Sequence, residues 1–309
     1  IPRFKVAECH GKLAARGLCA GPILSAPDGY AGAQGYVYSP ESGRLTIADL
    51  AERGVDLIKL GLDPGVNPDD PDPMPSLETV RTMVEEARRH GLPVHAHLLN
   101  EMALDLALDG GVDVVQHVPS PVRSRANEEA LVEKKEDFIA RARSQHARMV
   151  KQGMILVPTL EVFLKGWFDK PATERTPHEQ ARIDLLLGLV RQFHELGGVI
   201  ALGNDSPVGL VEPGMPILEM QMLLAAGLTP MEVLETGTRH AAAACGVSQT
   251  LGTLEPGKLA DVLVVDGDPL TDIEAMTRVR FVIKDGQIAY TFGDPTRTPS
   301  GGGRWRNIK

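Results

Sequence analysis

The chain has 309 residues, 43% of them hydrophobic, and 41 acidic against 32 basic side chains give a formal net charge of −9. That composition buries a large core and is too apolar for a disordered chain. Its acidic balance argues against nucleic acid or an anionic membrane surface as the main partner. No apolar run approaches the roughly 18 residues that cross a bilayer. The three cysteines, Cys9, Cys19 and Cys245, cannot all pair within one chain and form no CxxC motif. A disulfide framework is therefore excluded, and a reducing, cytoplasmic compartment is the default expectation.

From residue 22 the sequence predicts short buried strands alternating with helices. The strands are expected at Pro22 to Ala26, Val55 to Leu60, Leu92 to Leu98, Val112 to Val118, Met154 to Leu160 and Val199 to Leu202. These runs are too short and too uniformly apolar for half-exposed strands, so both faces are covered. Asp63 to Pro75 holds five Pro and four Asp and reads as a solvated loop. Leu77 to His90 is a helix that opens after Ser76 as N-cap and stops at Gly91. Met102 to Leu108 and the charge-rich Asn127 to Lys151 are two more. Strand and helix in alternation means parallel βα units, doubly wound or closed as a barrel.

After residue 204 the pattern changes. Thr229-Pro230-Met231-Glu232 is a complete helix start, with Thr as N-cap, Pro in the first turn and Glu reaching back. Ala260 to Val265, Val279 to Ile283 and Gln287 to Tyr290 follow as strands, the last two joined by the tight turn Asp285-Gly286. The expected domains are 1–250 for the barrel, 251–292 for a small β unit and 293–309 for an unpacked tail.

The side chains that can carry chemistry gather where parallel strands end: Lys59, His95, His97, His117 and Asp205. The carboxyl ends of such strands are where α/β sites are built. A strand repeats every two residues, so His95 and His97 share a face. Imidazoles, a carboxylate and a lysine on one rim suit a borderline cation such as Zn²⁺. Taken alone, a strand histidine is more often a satisfied core residue, and Gly203-Asn204-Asp205-Ser206 is an ordinary turn. A lysine in an apolar strand is rarer, because burying an unpaired ammonium is costly.

The chain resembles the amidohydrolase superfamily, in its imidazolonepropionase-like and prolidase-like branch. The most specific match runs from Gly252-Thr-Leu-Glu-Pro-Gly-Lys258 through Asp261 and Asp266 to Ile273. Leu228 to Leu234, Thr238 to Ala242, Val94-His-Ala-His97, Gln116-His117, Val157-Pro-Thr-Leu160 and Gly203 to Pro207 match in the family's order. The resemblance implies a metal-dependent (β/α)₈ barrel carrying a small β-sandwich. It implies that Lys59 is the strand-four lysine carboxylated by CO₂ to bridge two cations, Zn²⁺ or another divalent metal. His95 then matches the strand-five ligand, with His97 as second choice or substrate contact. His117 matches the strand-six ligand, and Asp205 the strand-eight aspartate that binds metal and handles the proton of the attacking water.

One departure stands out: no His-x-His pair precedes Lys59, and His10, the sole histidine upstream, reads as part of a surface helix. Strands one and two and the first half of the sandwich are not seen. The expectation is a portion of a longer chain, the alternative being a truncated barrel unable to hold two metals. The implied activity is hydrolysis of an amide-type C–N bond in a small molecule: a dipeptide, an N-acyl amino acid or a cyclic amide. The other readings are a mononuclear heterocycle deaminase, which needs no bridging lysine, and a non-catalytic barrel. A homo-oligomer is left open. Specificity is expected on the loops after the strands, where Glu161, Phe163, Trp167 and Phe168 are candidates for an apolar pocket and Arg123 and Arg125 for a substrate carboxylate.

Overall fold

A computed structural model describes residues 15–30, 32–65, 70–120 and 125–293, with backbone alone at 125–128. Cys9, His10, Arg123, the Arg125 side chain, residues 66–69 of the Pro-rich loop and the tail from 294 lie outside the described residues.

Seven strands form one parallel sheet: β1 (Ile23–Ser25), β2 (Gly35–Tyr36), β3 (Ile58–Gly61), β4 (Val94–His97), β5 (Val114–Gln116), β6 (Ile155–Val157) and β7 (Val199–Ile200). Their order is β2-β1-β3-β4-β5-β6-β7, so β2 and β7 are the edges among the described residues. The expected eight-stranded barrel is thus represented by a seven-stranded parallel sheet. β2 had no signal in the sequence, because it consists of Gly35 and Tyr36 with no apolar run.

Helices alternate with the strands: α1 (Pro40–Glu52), α2 (Leu77–Arg89), α3 (Glu101–Gly110), α4 (Arg125–Gln152), α5 (Leu160–Phe168) and α6 (Pro177–Glu195). Their starts are written locally. Ser39 and Thr176 close capping boxes ahead of Pro40 and Pro177, and Ser76 and Asn100 each accept a backbone N–H of the helix they open. Beyond β7 come α7 (Ile217–Ala225) and α8 (Pro230–Glu235), which opens on the expected Thr229–Glu232 capping box. A π turn over Thr236–His240 leads into α9 (Ala241–Ala244).

β8 (Val262–Val265), β9 (Val279–Lys284) and β10 (Gln287–Thr291) form a separate antiparallel sheet in the order β10-β9-β8. A sandwich needs two facing sheets, so the expected sandwich is represented here by one three-stranded sheet. Asp285 and Gly286 make the predicted hairpin with φ of 51° and 75°, the left-handed pair that a tight primed turn requires.

Alternation along the parallel strands sorts the side chains. Ile58, Leu60 and Leu62 pack in the main core with Val94, Ala96 and Leu98 and with Val80, Met83 and Val84 of α2. The opposite face therefore receives Lys59, Gly61, Asp63, His95 and His97. Its apolar floor is a small cluster of Val114, Val157, Ala201 and Ala244.

On the helical layer, His146 of α4 is 1% exposed and meets Phe193 of α6 edge-on at 5.7 Å. Burial holds its pKa down at about 4, against the smaller opposing influence of the neighbouring Gln192 side chain. The folded state therefore keeps the ring neutral where the unfolded chain, titrating near 6.5, takes up a proton. Stability is expected to fall as pH drops from about 6.5 to about 4, by on the order of 3 kcal/mol from this ring. Urea midpoints across that range check it, and a His146→Gln variant should show a shallower decline. An equal decline in the variant would contradict the assignment.

Candidate functional site

β3 and β4 pair so that Lys59 lies opposite His95 and Gly61 opposite His97. The lack of a side chain at Gly61 is required: a Cβ there would come within 2.6 Å of the Tyr30 ring. That ring stacks on His97 with centroids 4.2 Å apart.

The two histidines of β4 share a face but do different things. His95 has both ring nitrogens committed within the fold, Nδ1 to Gln116 Nε2 at 2.9 Å and Nε2 to the Ala244 carbonyl at 2.8 Å. Burial pushes its pKa down to about 4 despite the Ala244 bond. His97 instead turns Nδ1 toward His117 Nε2 at 2.8 Å. Its Nε2 is buried without a hydrogen bond and lies 3.5 Å from Asp63 Oδ2. The imidazole brought to His117 is therefore His97, where the resemblance put His95 first. His95 lies deeper, against the floor beneath Ala244.

His117 reaches this position by breaking the alternation. Gln116 points to the site face, so regular pleating would send the next side chain to the helices. His117 has φ of 72°, which turns its ring back to His97. Its Nδ1 hydrogen-bonds Thr159 Oγ1 at 2.7 Å, and Phe163 meets it edge-on at 5.6 Å. Thr159 and Asp205 also have left-handed backbones, with φ of 51° and 59°. Three successive strand ends thus adopt a conformation disfavoured for side chains with a Cβ, a pattern that clusters at working sites.

Lys59 and Asp205 complete the rim electrostatically. Burial pushes the Lys59 ammonium down to about 8, opposed by the Asp205 charge. Asp205 opens to solvent on one side, yet the surrounding protein raises its carboxyl above the usual range, against the pull of Lys59 and then His97. Tyr30 is raised by burial and then by Asp205 and Asp63.

The donors are nitrogen and oxygen, as zinc-type cations prefer. Two ring nitrogens face each other at hydrogen-bond distance, and the donor types of the rim fit such an ion. Among the described residues, no three or more His, Cys, Asp or Glu side chains converge closely enough to hold a metal by themselves. Asp63 and Tyr30 were not singled out in the sequence. Asp63 was readable by parity, because it continues the Lys59, Gly61 alternation into what looked like the start of a solvated loop. Tyr30 follows β1 at a turn with no pattern to mark it.

A family model described as "Amidohydrolase family" matches residues 49–290. Ochratoxinase of Aspergillus niger is 28% identical over 260 residues, covering 78% of this chain and 49% of that protein. Its crystal structure superposes with a TM-score of 0.73 at 23% identity, covering 96% of this chain and 71% of that one. A Xaa-Pro dipeptidase structure with bound methionine gives a TM-score of 0.70 at 24% identity, with 93% and 71% covered. Imidazolonepropionase of Symbiobacterium thermophilum is 41% identical over a shorter stretch of 76 residues, 24% of this chain and 18% of that protein. The chain spans about half the length of ochratoxinase. Among the described residues no helix is long and apolar enough to cross a membrane.

Proposed function

The chain belongs to the amidohydrolase family, and on that premise we propose that it hydrolyses an amide-type C–N bond in a small molecule at the rim of His97, His117, Lys59 and Asp205. The observation that carries this reading is the His97–His117 pair, nitrogen to nitrogen at 2.8 Å; the Asp205 charge that opposes the desolvation of Lys59 supports it. Family names support the bond type: ochratoxinase and an N-substituted formamide deformylase of Arthrobacter pascens are among the relatives.

In this reading His97 Nδ1 and His117 Nε2 would hold a divalent cation, with Asp205 and a carboxylated Lys59 as further donors. When bound, such a cation would supply Lewis acidity, lowering the pKa of a water toward neutrality and polarising a carbonyl. Asp205 accepts the proton of the attacking water on a carboxylate oxygen and delivers it to the leaving nitrogen. The Asp63 carboxylate, 3.5 Å from His97 Nε2, favours the ring proton on that nitrogen and so leaves the lone pair on Nδ1. Tyr30 and Phe163 wall the two imidazoles and limit water at the reacting carbon. The closed (β/α)₈ barrel and its sandwich belong to the same proposal, as does a small-molecule substrate.

A panel of dipeptides, N-acyl amino acids and cyclic amides, followed by amine or carboxylate release with and without added Zn²⁺ and bicarbonate, tests it. Metal-dependent turnover of at least one amide class is expected. Release of ammonia from a heterocycle, with every amide untouched, would transfer the site to the deaminase reading.

A further inference from the structure

Glu219 of α7 is fully buried, and no step above uses it. Its Oε1 accepts the backbone N–H of Leu160 at 2.9 Å and its Oε2 that of Glu161 at 2.7 Å. These are the first two residues of α5, whose opening N–H groups have no partner inside the helix. Ordinarily the N-cap side chain meets one of them. Here the N-cap is Thr159, and its side chain makes no capping bond. Its backbone is left-handed, a genuine outlier for a β-branched residue, and its hydroxyl is committed to His117 Nδ1.

The two facts explain each other. We propose that Glu219 is a positioning residue for His117: by capping α5 from the neighbouring helix, it releases the Thr159 hydroxyl to orient the imidazole, so that Nε2 faces His97. Two converging N–H donors need two acceptor atoms, which a carboxylate has. A glutamine would set its own NH₂ against one of them. The same helix start is tied to the Asp205 loop, since Asn204 Nδ2 donates to Glu161 Oε2 at 3.2 Å. Lys165 Nζ lies 3.3 Å from the other Glu161 oxygen and offsets its charge. One buried carboxylate therefore fixes the segment that touches both His117 and the turn carrying Asp205.

In its metal readout this inference rests on His97 and His117 holding the cation; its second readout does not. Zn²⁺ affinity is measured by competition with a chromogenic chelator for wild type, Glu219→Gln, Thr159→Val and the double variant. In parallel, ¹⁵N spectra of the histidine rings are recorded on metal-free protein. Each single substitution is expected to weaken Zn²⁺ binding by about 10- to 100-fold, the usual scale for losing a group that orients a ligand. The double variant should be no weaker than the worse single one, and Thr159→Ser should bind as wild type does. The His117 ring signals should move in Glu219→Gln while those of His146 stay in place. The inference is overturned if Glu219→Gln lowers only the melting temperature and leaves Zn²⁺ affinity and the His117 signals unchanged. Additive losses in the double variant overturn it too. If Glu219→Gln does not fold, Glu219→Asp, too short to reach both N–H groups, takes its place with the same readouts. If the wild type takes up no Zn²⁺, the cation reading fails by itself and the His117 signals decide the role of Glu219.

Discussion

Asp205→Asn is expected to fold normally and to lose at least about two orders of magnitude in kcat, the scale for removing a general acid or base. The amide is nearly isosteric, so the left-handed turn at φ of 59° is kept; Asn tolerates that region as well as Asp does. What it lacks is basicity. An amide oxygen does not take the proton of an attacking water, and the amide NH₂ does not protonate the leaving nitrogen as a carboxylic acid does. The substitution also deletes the charge that opposes the desolvation of Lys59, so the lysine pKa should fall further. Steady-state kinetics on any turned-over amide check the first effect. Wild-type turnover in the variant would remove Asp205 from the mechanism.

Lys59→Ala is expected to lose bound metal and activity together, by at least about a hundredfold in rate. If the imidazoles hold a cation as proposed, an ammonium among them would be repelled by it and poorly solvated. Burial already depresses the Lys59 pKa to about 8, which provides free amine at mildly alkaline pH. The nitrogen lone pair adds to CO₂, an N–C bond forms and a proton leaves, converting a positive side chain into an anionic carbamate. If this is what Lys59 does, a short carboxylic acid supplied from solution should restore part of both metal and rate in the alanine variant. Lys59→Arg should not be rescued, since guanidinium keeps its charge. Full metal content and full rate in Lys59→Ala would show that the lysine is neither bridge nor ligand.

The parallel βα body and the helix starts were legible because their causes are local. Thr229 and Ser76 announce helices through bonds made within three residues, and runs such as Val94 to Leu98 must be covered on both faces. The site was legible in residue type and less so in direction. His95 and His97 share a parity, and nothing local shows that the Ala244 carbonyl, 149 residues away, is bonded to His95. The register of His117 is likewise set by one left-handed residue, which a histidine does not advertise as glycine would. Glu219 was invisible for a similar reason: in sequence it is an acid on an apolar helix, and the helix start it caps lies 59 residues upstream. Among the described residues β2 pairs with β1 alone, and two residues carry no periodicity.

The division of labour between the two β4 histidines is the most exposed part of the proposed site, and metal content decides it. Metal per chain is to be determined by mass spectrometry of the elements in wild type, His97→Ala, His117→Ala and His95→Ala, each purified with Zn²⁺ present and excess removed. Metal retained by the wild type and by folded His95→Ala, and lost from both His97→Ala and His117→Ala, is the predicted result. Metal lost with His95→Ala and kept with His97→Ala would contradict it.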